Sequence, residues 1–195
     1  MASAALTKWT EDRLSQLDEL EQLHVQLTGE APGRRWITNQ LDRSYVVVLA
    51  SQVQGYFRDL HSETAAFLAG LAPSNLGPLV EGSLTLNRTL DRGNPNAGNL
   101  GNDFARFGFD FWDALYEADM RSKRRRELLE QVMIWRNAIA HESRISPDNQ
   151  KKIEGTRPTL TWGRRWRRAL GALIDSTDSV IRDEVAALVG QEPWT

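Results

Sequence analysis

The sequence predicts an all-α, single-domain helical bundle with two or three long helices joined by short ones. Apolar residues recur at intervals of three and four over long stretches, and no stretch alternates with the period of two that strands require. With 195 residues, 41% of them hydrophobic, the chain can bury a substantial core without disulfides. No repeat or domain-sized linker divides it. We therefore expect a core over about residues 36–190, with an N-terminal helix over about 10–28 packed on it.

Two helices are predicted in the first third of the chain. Thr10 is a suitable N-cap for the first helix, and Gly29 is a suitable end. Helical spacing then continues from about Ile37 to Leu68, which predicts one long helix. The apolar side of the first helix consists of leucines: Leu14, Leu17, Leu20, Leu23 and Leu27.

The middle of the chain predicts connections and an aromatic segment. Pro73 and Pro78 bracket a connector, a short helix is expected over 83–90, and residues 91–102, rich in Gly and Asn, predict a loop. This loop is either a lid over a substrate or an ordinary surface connection. The aromatic segment is more typical of a core than of a base-stacking platform, and comprises Phe104, Phe107, Phe109, Phe111 and Trp112.

Two further long helices are predicted in the last third. One runs over about 119–141, and the other is capped by Thr161 and ends near Val189. A polar connector with two prolines separates them. Trp166 stands among four arginines, where it either stacks on a nucleic-acid base or is buried.

Charge is distributed unevenly along the chain. The net charge is −2, yet residues 121–168 carry 14 basic and 5 acidic groups, while both flanks are acidic. A basic surface on an acidic protein favours a bound polyanion, and the alternative is a solvated helix face that pairs with the acidic flanks. Two basic clusters contribute most of this charge: Arg121, Lys123, Arg124, Arg125 and Arg126, and Arg164, Arg165, Arg167 and Arg168.

Composition argues against several classes of protein. The chain has no cysteine, and His24, His61 and His141 stand far apart without a metal-ligand spacing, so we expect neither a metal site nor a cofactor. No apolar stretch approaches membrane-spanning length, and the first residues lack the pattern of a secretory signal. The default expectation is a cytoplasmic protein that does not bind membranes.

One heptapeptide, residues 136–142 (RNAIAHE), suggests a chemistry. Arg136 can hold a phosphate in a planar fork and His141 can move a proton near neutral pH, which together suffice for metal-free RNA cleavage. On an ideal helix the two side chains lie about 140° apart, so one straight helix would not direct both at one phosphate. Either the helix loosens over 142–147, or two chains contribute to one site.

This motif resembles the signature of the HEPN superfamily of all-α RNA-binding and RNA-cleaving domains. The signature is Arg, a polar residue, a short spacer and His, which Arg136, Asn137 and His141 match. The segment 41–60 is similar to the opening long helix of the RiboL-PSP branch, whose members often have a glutamate where this chain has Gln54. As helix order, the resemblance spans roughly 36–190.

The resemblance implies a metal-independent endoribonuclease that leaves a 2′,3′-cyclic phosphate. Arg136 would bind the phosphate, His141 would act as general base or acid, and Asn137 would orient His141 or donate to the phosphate. The family further implies a homodimer with a composite site, and a toxin or phage-defence role restrained by an antitoxin. Candidate RNA-binding residues are Arg121, Lys123, Arg124, Arg125, Arg126 and Arg144.

The competing hypothesis is a non-catalytic HEPN-like module that binds RNA or a protein partner. In that case Arg136 pairs with a carboxylate, and His141 caps its helix and forms only local hydrogen bonds.

Overall fold

A computed structural model describes residues 1–28 and 35–194, and within these ranges all regular structure is helical. The predicted all-α fold class is confirmed. A π-helical turn, Trp9–Arg13, joins the first two helices, and two short 3₁₀ turns lie at Thr89–Asp91 and Ala105–Phe107. The α-helices are α1 Ala4–Lys8, α2 Leu14–Thr28, α3 Arg35–Leu71, α4 Gly77–Thr85, α5 Ala97–Phe104, α6 Phe111–Ala118, α7 Ser122–Ala140, α8 Pro147–Lys152 and α9 Leu160–Val189.

The three long helices α3, α7 and α9 form the centre of the molecule. Helices α7 and α9 run antiparallel, since Arg125 contacts Ser176 near one end and Gln131 contacts Trp166 further along. Trp166 is fully buried, and its Nε1 donates to Gln131 Oε1 at 3.2 Å. It therefore packs in the core and does not stack on a base from the surface.

The N-terminal helix begins earlier than predicted. Ser3, not Thr10, is its N-cap, and Thr10 lies inside the π-helical turn. The buried carboxylate of Asp178 accepts from Ser3, and Glu63 accepts from the first two N–H groups of α1. Residues distant in sequence thus satisfy this helix end, which local pattern does not reveal. The predicted end at Gly29 lies outside the described residues.

The middle of the chain contains more helix than predicted. Pro78 does not end a connector, because it occupies the first turn of α4, where proline is well tolerated. The short helix expected over 83–90 is replaced by the end of α4 and a 3₁₀ turn. Half of the predicted loop 91–102 is helix α5, because Asn96 caps it by accepting from the backbone of Asn99. Only residues 92–96 remain as loop, too few for a lid.

The aromatic segment and the last helices mostly follow prediction. Phe104, Phe107, Phe111 and Trp112 are buried, so they form core. The last helix is capped by Thr159 and not by Thr161. Its predicted end at Val189 is confirmed. The connector after α7 contains the short helix α8.

Candidate functional site

The RNAIAHE motif forms the C-terminal end of α7. Arg136 and Asn137 are half-buried, and His141 is the exposed C-cap. Helix α7 ends at Ala140: the C-cap His141 has φ −109° and ψ 3°, outside the α-helical region, and Glu142 has φ +46°. The chain thus leaves the helix at the start of the segment 142–147, as the first of the two predictions requires, and a site shared between two chains stays a prediction.

The Arg136 side chain reaches toward the face of α7 that carries His141. Its Nη1 donates to Asn137 Oδ1 at 3.1 Å. Asn137 and His141 are four residues apart, so they lie on one face of the helix, about 40° and 6 Å apart. One surface at the end of α7 thus carries the Arg136 guanidinium, the Asn137 carboxamide next to it, and His141 one turn further along.

A neighbouring loop supports the same surface. Asn94, in the segment between the 3₁₀ turn and α5, donates through Nδ2 to Asn137 Oδ1. Gln54 on α3 holds this loop, because its Nε2 donates to Leu90 O at 2.9 Å and to Gly93 O at 2.8 Å. The loop therefore forms a fixed wall of the site.

These two hydrogen bonds account for a glutamine at position 54, where members of the family that the sequence resembles often have a glutamate. The contact requires two N–H donors on one side-chain nitrogen, and an ionised glutamate has none. In this chain the amide is thus needed to hold the loop. Sequence reasoning missed Asn94, and the only local signal was the turn-forming run over 93–96.

His141 has free capacity for hydrogen bonding. Its backbone N–H donates to Asn137 O at 3.1 Å, as in an ordinary helix end. Its imidazole forms no hydrogen bond or ion pair with any residue in the part of the chain that the structure describes. The residue is exposed, so a ligand can approach the imidazole.

An open groove of about 370 Å³ lies between α3 and the end of α7. Its lining includes the half-buried Val48 and Ile139 with Arg43 and Glu142, but not Arg136, Asn137 or His141. Open, shallow surfaces suit a polymer that lies across them better than a small molecule that must be enclosed.

The first basic cluster lies at the other end of α7. Fifteen residues separate Arg121 from Arg136, which corresponds to roughly 20 Å along a helix. Arg121 and Arg125 each pair with Asp119 at 2.9 Å, and Arg124 pairs with an acidic residue one turn away. The hydrogen bonds from Arg121 hold the pKa of the Asp119 carboxyl at about 2. The structure thus places these predicted RNA-binding cations away from the motif and beside carboxylates.

The remaining predicted RNA-binding residues divide into two groups. Arg126 donates to Tyr116 Oη at 2.8 Å and lies over the ring of Trp112, while Lys123 lies over the ring of Tyr116. Arg144 is exposed, close after His141, and forms no ion pair with another described residue. Of the six candidates, Arg144 is the one that the fold leaves beside the motif.

Two arginines of the second basic cluster pair with the acidic N-terminal region. Arg164 donates to Glu21 at 2.7 Å, and Arg167 bridges Asp18 and Glu21 at 2.7 and 3.0 Å. These contacts attach α2 to α9. The pairing that the sequence left open as an alternative therefore occurs for these two arginines. The excess of nine basic over acidic groups in residues 121–168 thus overstates the cationic surface.

The chain matches no family model, no curated protein and no solved structure at a significant level. Among residues 1–28 and 35–194, no three His, Asp or Glu side chains are grouped so that they could hold a metal ion. No helix in these ranges combines the length and the apolar character needed to cross a membrane. Any functional assignment therefore depends on the geometry of the site.

Proposed function

We propose that this protein is a metal-independent endoribonuclease of the type found in the HEPN superfamily, which its sequence resembles. One observation carries the proposal. Arg136 is turned onto Asn137, and the unpartnered, exposed imidazole of His141 stands one turn further along the same face. A phosphate-binding cation and a proton-transfer group therefore border one open surface.

The chemistry needs no cofactor, because RNA supplies its own nucleophile. The 2′-oxygen bonds to the adjacent phosphorus while the bond from phosphorus to the 5′-oxygen of the next nucleotide breaks. The products are a 2′,3′-cyclic phosphate and a 5′-hydroxyl. His141 either takes the proton of the 2′-hydroxyl or gives one to the departing 5′-oxygen. Arg136 binds the phosphate and stabilises the charge that builds on its oxygens.

A homodimer is part of this proposal. A second proton-transfer group is required, and by resemblance to the family it is His141 of a second copy across a two-fold axis. Light scattering during gel filtration tests the dimer. The toxin or phage-defence role and an antitoxin partner are also proposals from the resemblance, and a growth assay with inducible expression tests toxicity.

The deciding experiment compares wild type, His141→Ala and Arg136→Ala on a mixed RNA substrate in chelator, with analysis of the product ends. We expect wild type to leave cyclic-phosphate ends. His141→Ala should lose about 10²–10⁴ in rate, the usual worth of a general acid or base, and Arg136→Ala about 10²–10³, the usual worth of one donor that stabilises developing charge. Equal cleavage by all three proteins would identify a contaminant, and dependence on a divalent metal would overturn the metal-free mechanism.

A second candidate function is a non-catalytic module that binds a protein partner. Helix α4 has no buried residue, and apolar side chains around it face solvent. Such a surface is typical of interaction sites. Absence of cleavage by wild type, together with loss of partner binding on Leu79→Glu, would favour this function. The exposed set is Leu71, Leu76, Leu79 and Leu86.

A further inference from the structure

The carboxamide of Asn137 is held in one orientation by two donors. A guanidinium can only donate, so the atom of Asn137 that faces Arg136 Nη1 must be the oxygen. Because the same oxygen faces Asn94, the Asn94 side chain must present its amino group there. The hydrogen-bond network thus determines which way round both carboxamides stand, without an observed hydrogen.

This orientation leaves a set of donors free. The Nδ2 amino group of Asn137 finds no acceptor among the described residues, and neither do Nε and Nη2 of Arg136. Three unsatisfied, half-exposed nitrogens of two adjacent residues therefore remain for an acceptor from outside the chain. A tetrahedral anion with several equivalent oxygens is the ligand class that such a donor set fits.

We propose that Asn94 is a positioning residue that holds Asn137 so that its amide N–H and the free edge of Arg136 bind one phosphate group of a phosphodiester. The inference rests on the proposed function, and it adds the residue that organises the phosphate site. Asn94 itself does not touch the phosphate.

The loop is well held for this purpose. Asn94 O accepts from Asn99 Nδ2 at 2.7 Å, and Pro95 next to it is buried. Gln54 fixes the start of the loop, and Glu130 accepts from the backbone of Ala97 at 2.6 Å just after it. Folding has therefore already ordered the groups that position Asn137, so binding a phosphate does not have to do so.

Two substitutions of Asn94 separate orientation from packing. Asn94→Ala removes the donor. Asn94→Asp keeps the shape but sets a carboxylate oxygen against Asn137 Oδ1, and two acceptors repel. The Asn137 carboxamide then flips, so that its oxygen no longer accepts from Arg136 and instead points toward the phosphate site. The near-isosteric Asp should thus be the more damaging of the two. Asn102→Ala, an exposed asparagine on α5, is the matched control.

The first measurement is a titration with inorganic phosphate at constant ionic strength, followed by the NMR signals of Arg136 Nε–H and the side-chain amides. We expect saturable shifts in wild type and in Asn102→Ala. Affinity should fall about threefold to tenfold in Asn94→Ala, the usual effect of one lost hydrogen bond, and further in Asn94→Asp. Equal phosphate affinity in wild type and Asn94→Asp, or no shift of the Arg136 signal in wild type, would overturn the positioning role of Asn94.

The second measurement is the rate of RNA cleavage at varied RNA concentration, with circular dichroism as a check of the fold. A positioning role predicts a lower kcat for Asn94→Asp than for Asn94→Ala at equal melting temperature. If either variant does not fold, Asn94→Ser replaces it. If phosphate binding depends on Asn94 but the protein cleaves no RNA, the positioning role of Asn94 is supported and the proposed function is refuted. If the protein cleaves RNA at the same rate with and without Asn94, the proposed function is supported and the positioning role of Asn94 is refuted.

Discussion

The surroundings of His61 and of His141 are opposite in every respect that matters for chemistry. His61 is fully buried on α3, and both its ring nitrogens have partners within the protein. Arg88 can only donate, so Nδ1 of His61 accepts and Nε2 donates to Asp103 O at 3.0 Å. His141 is exposed, and neither ring nitrogen has a partner among the described residues.

The difference shows what separates a structural from an available polar group. Burial, with the positive charge of Arg88 as a lesser cause, lowers the pKa of His61 to about 4, so its ring is neutral over the physiological range. A side chain whose hydrogen bonds are all satisfied internally has nothing left to offer a substrate. By this criterion Arg136 and His141 are available, whereas Arg164 and Arg167, which pair with acidic side chains, serve the fold.

The largest expected effect is a difference in RNA cleavage between substitutions of the two histidines. His141→Ala should lower RNA cleavage by about 10²–10⁴ with no loss of thermal stability, because its exposed imidazole forms no hydrogen bond or ion pair with another described residue. His61→Gln should retain cleavage at temperatures where it is folded. Initial rates and melting curves of the two variants check this. A large rate loss in folded His61→Gln would contradict the division between the two histidines.

The next effect concerns stability against pH. The pKa of His61 is lowered from 6.5 to about 4 in the folded state. Its contribution to stability is thus present above pH 6.5 and is lost as pH falls through about 4. The full loss is on the order of 3 kcal/mol. Urea unfolding at several pH values should show this decline in wild type.

His61→Gln, which cannot titrate, should flatten the decline between pH 6.5 and 4. Burial raises the pKa of Asp178, so that carboxyl opposes the decline: its contribution is present at low pH and is lost as pH rises through its folded-state pKa. An unchanged slope in His61→Gln would show that other groups cause the acid sensitivity.

A smaller effect is expected at Gln54, on the wall of the site. Gln54→Glu removes the donor of two hydrogen bonds to loop carbonyls, which should cost about 2 kcal/mol of unfolding free energy. The same substitution at the exposed Gln40, on the same helix, is the control and should change stability little. Chemical denaturation of both variants checks this, and equal effects would contradict the anchoring role.

The smallest effect sharpens the distinction between paired and unpaired cations. Arg144 is exposed and forms no ion pair with another described residue, whereas Arg167 bridges Asp18 and Glu21. In RNA binding measured against salt, Arg144→Gln should reduce the salt slope by about 0.7, the value for one phosphate contact on a single strand. Arg167→Gln should leave the slope unchanged. A reversed order would mean that the ion pairs open when RNA binds.

Prediction from the sequence succeeded where local pattern is sufficient. The long helix α3, the helix that carries the motif and the buried aromatic segment all followed from apolar spacing. It failed at helix ends, because partners distant in sequence satisfy them: Ser3 on Asp178 at the start of α1 is one case. The loop prediction over 91–102 failed because Asn and Gly are compatible both with a loop and with the capped start of α5.

The sequence by itself determined the fold class and singled out the candidate motif at residues 136–142, since both depend on residue type and spacing along a helix. Only the tertiary structure decided which charges are free, because pairing depends on which elements meet. Acidic residues of α2 pair with Arg164 and Arg167 of α9, and Asp119 pairs with Arg121 and Arg125. The tertiary structure also decided that Asn94, 43 residues before Asn137, supports the motif. No spacing rule along one helix can bring together residues that a fold joins through space.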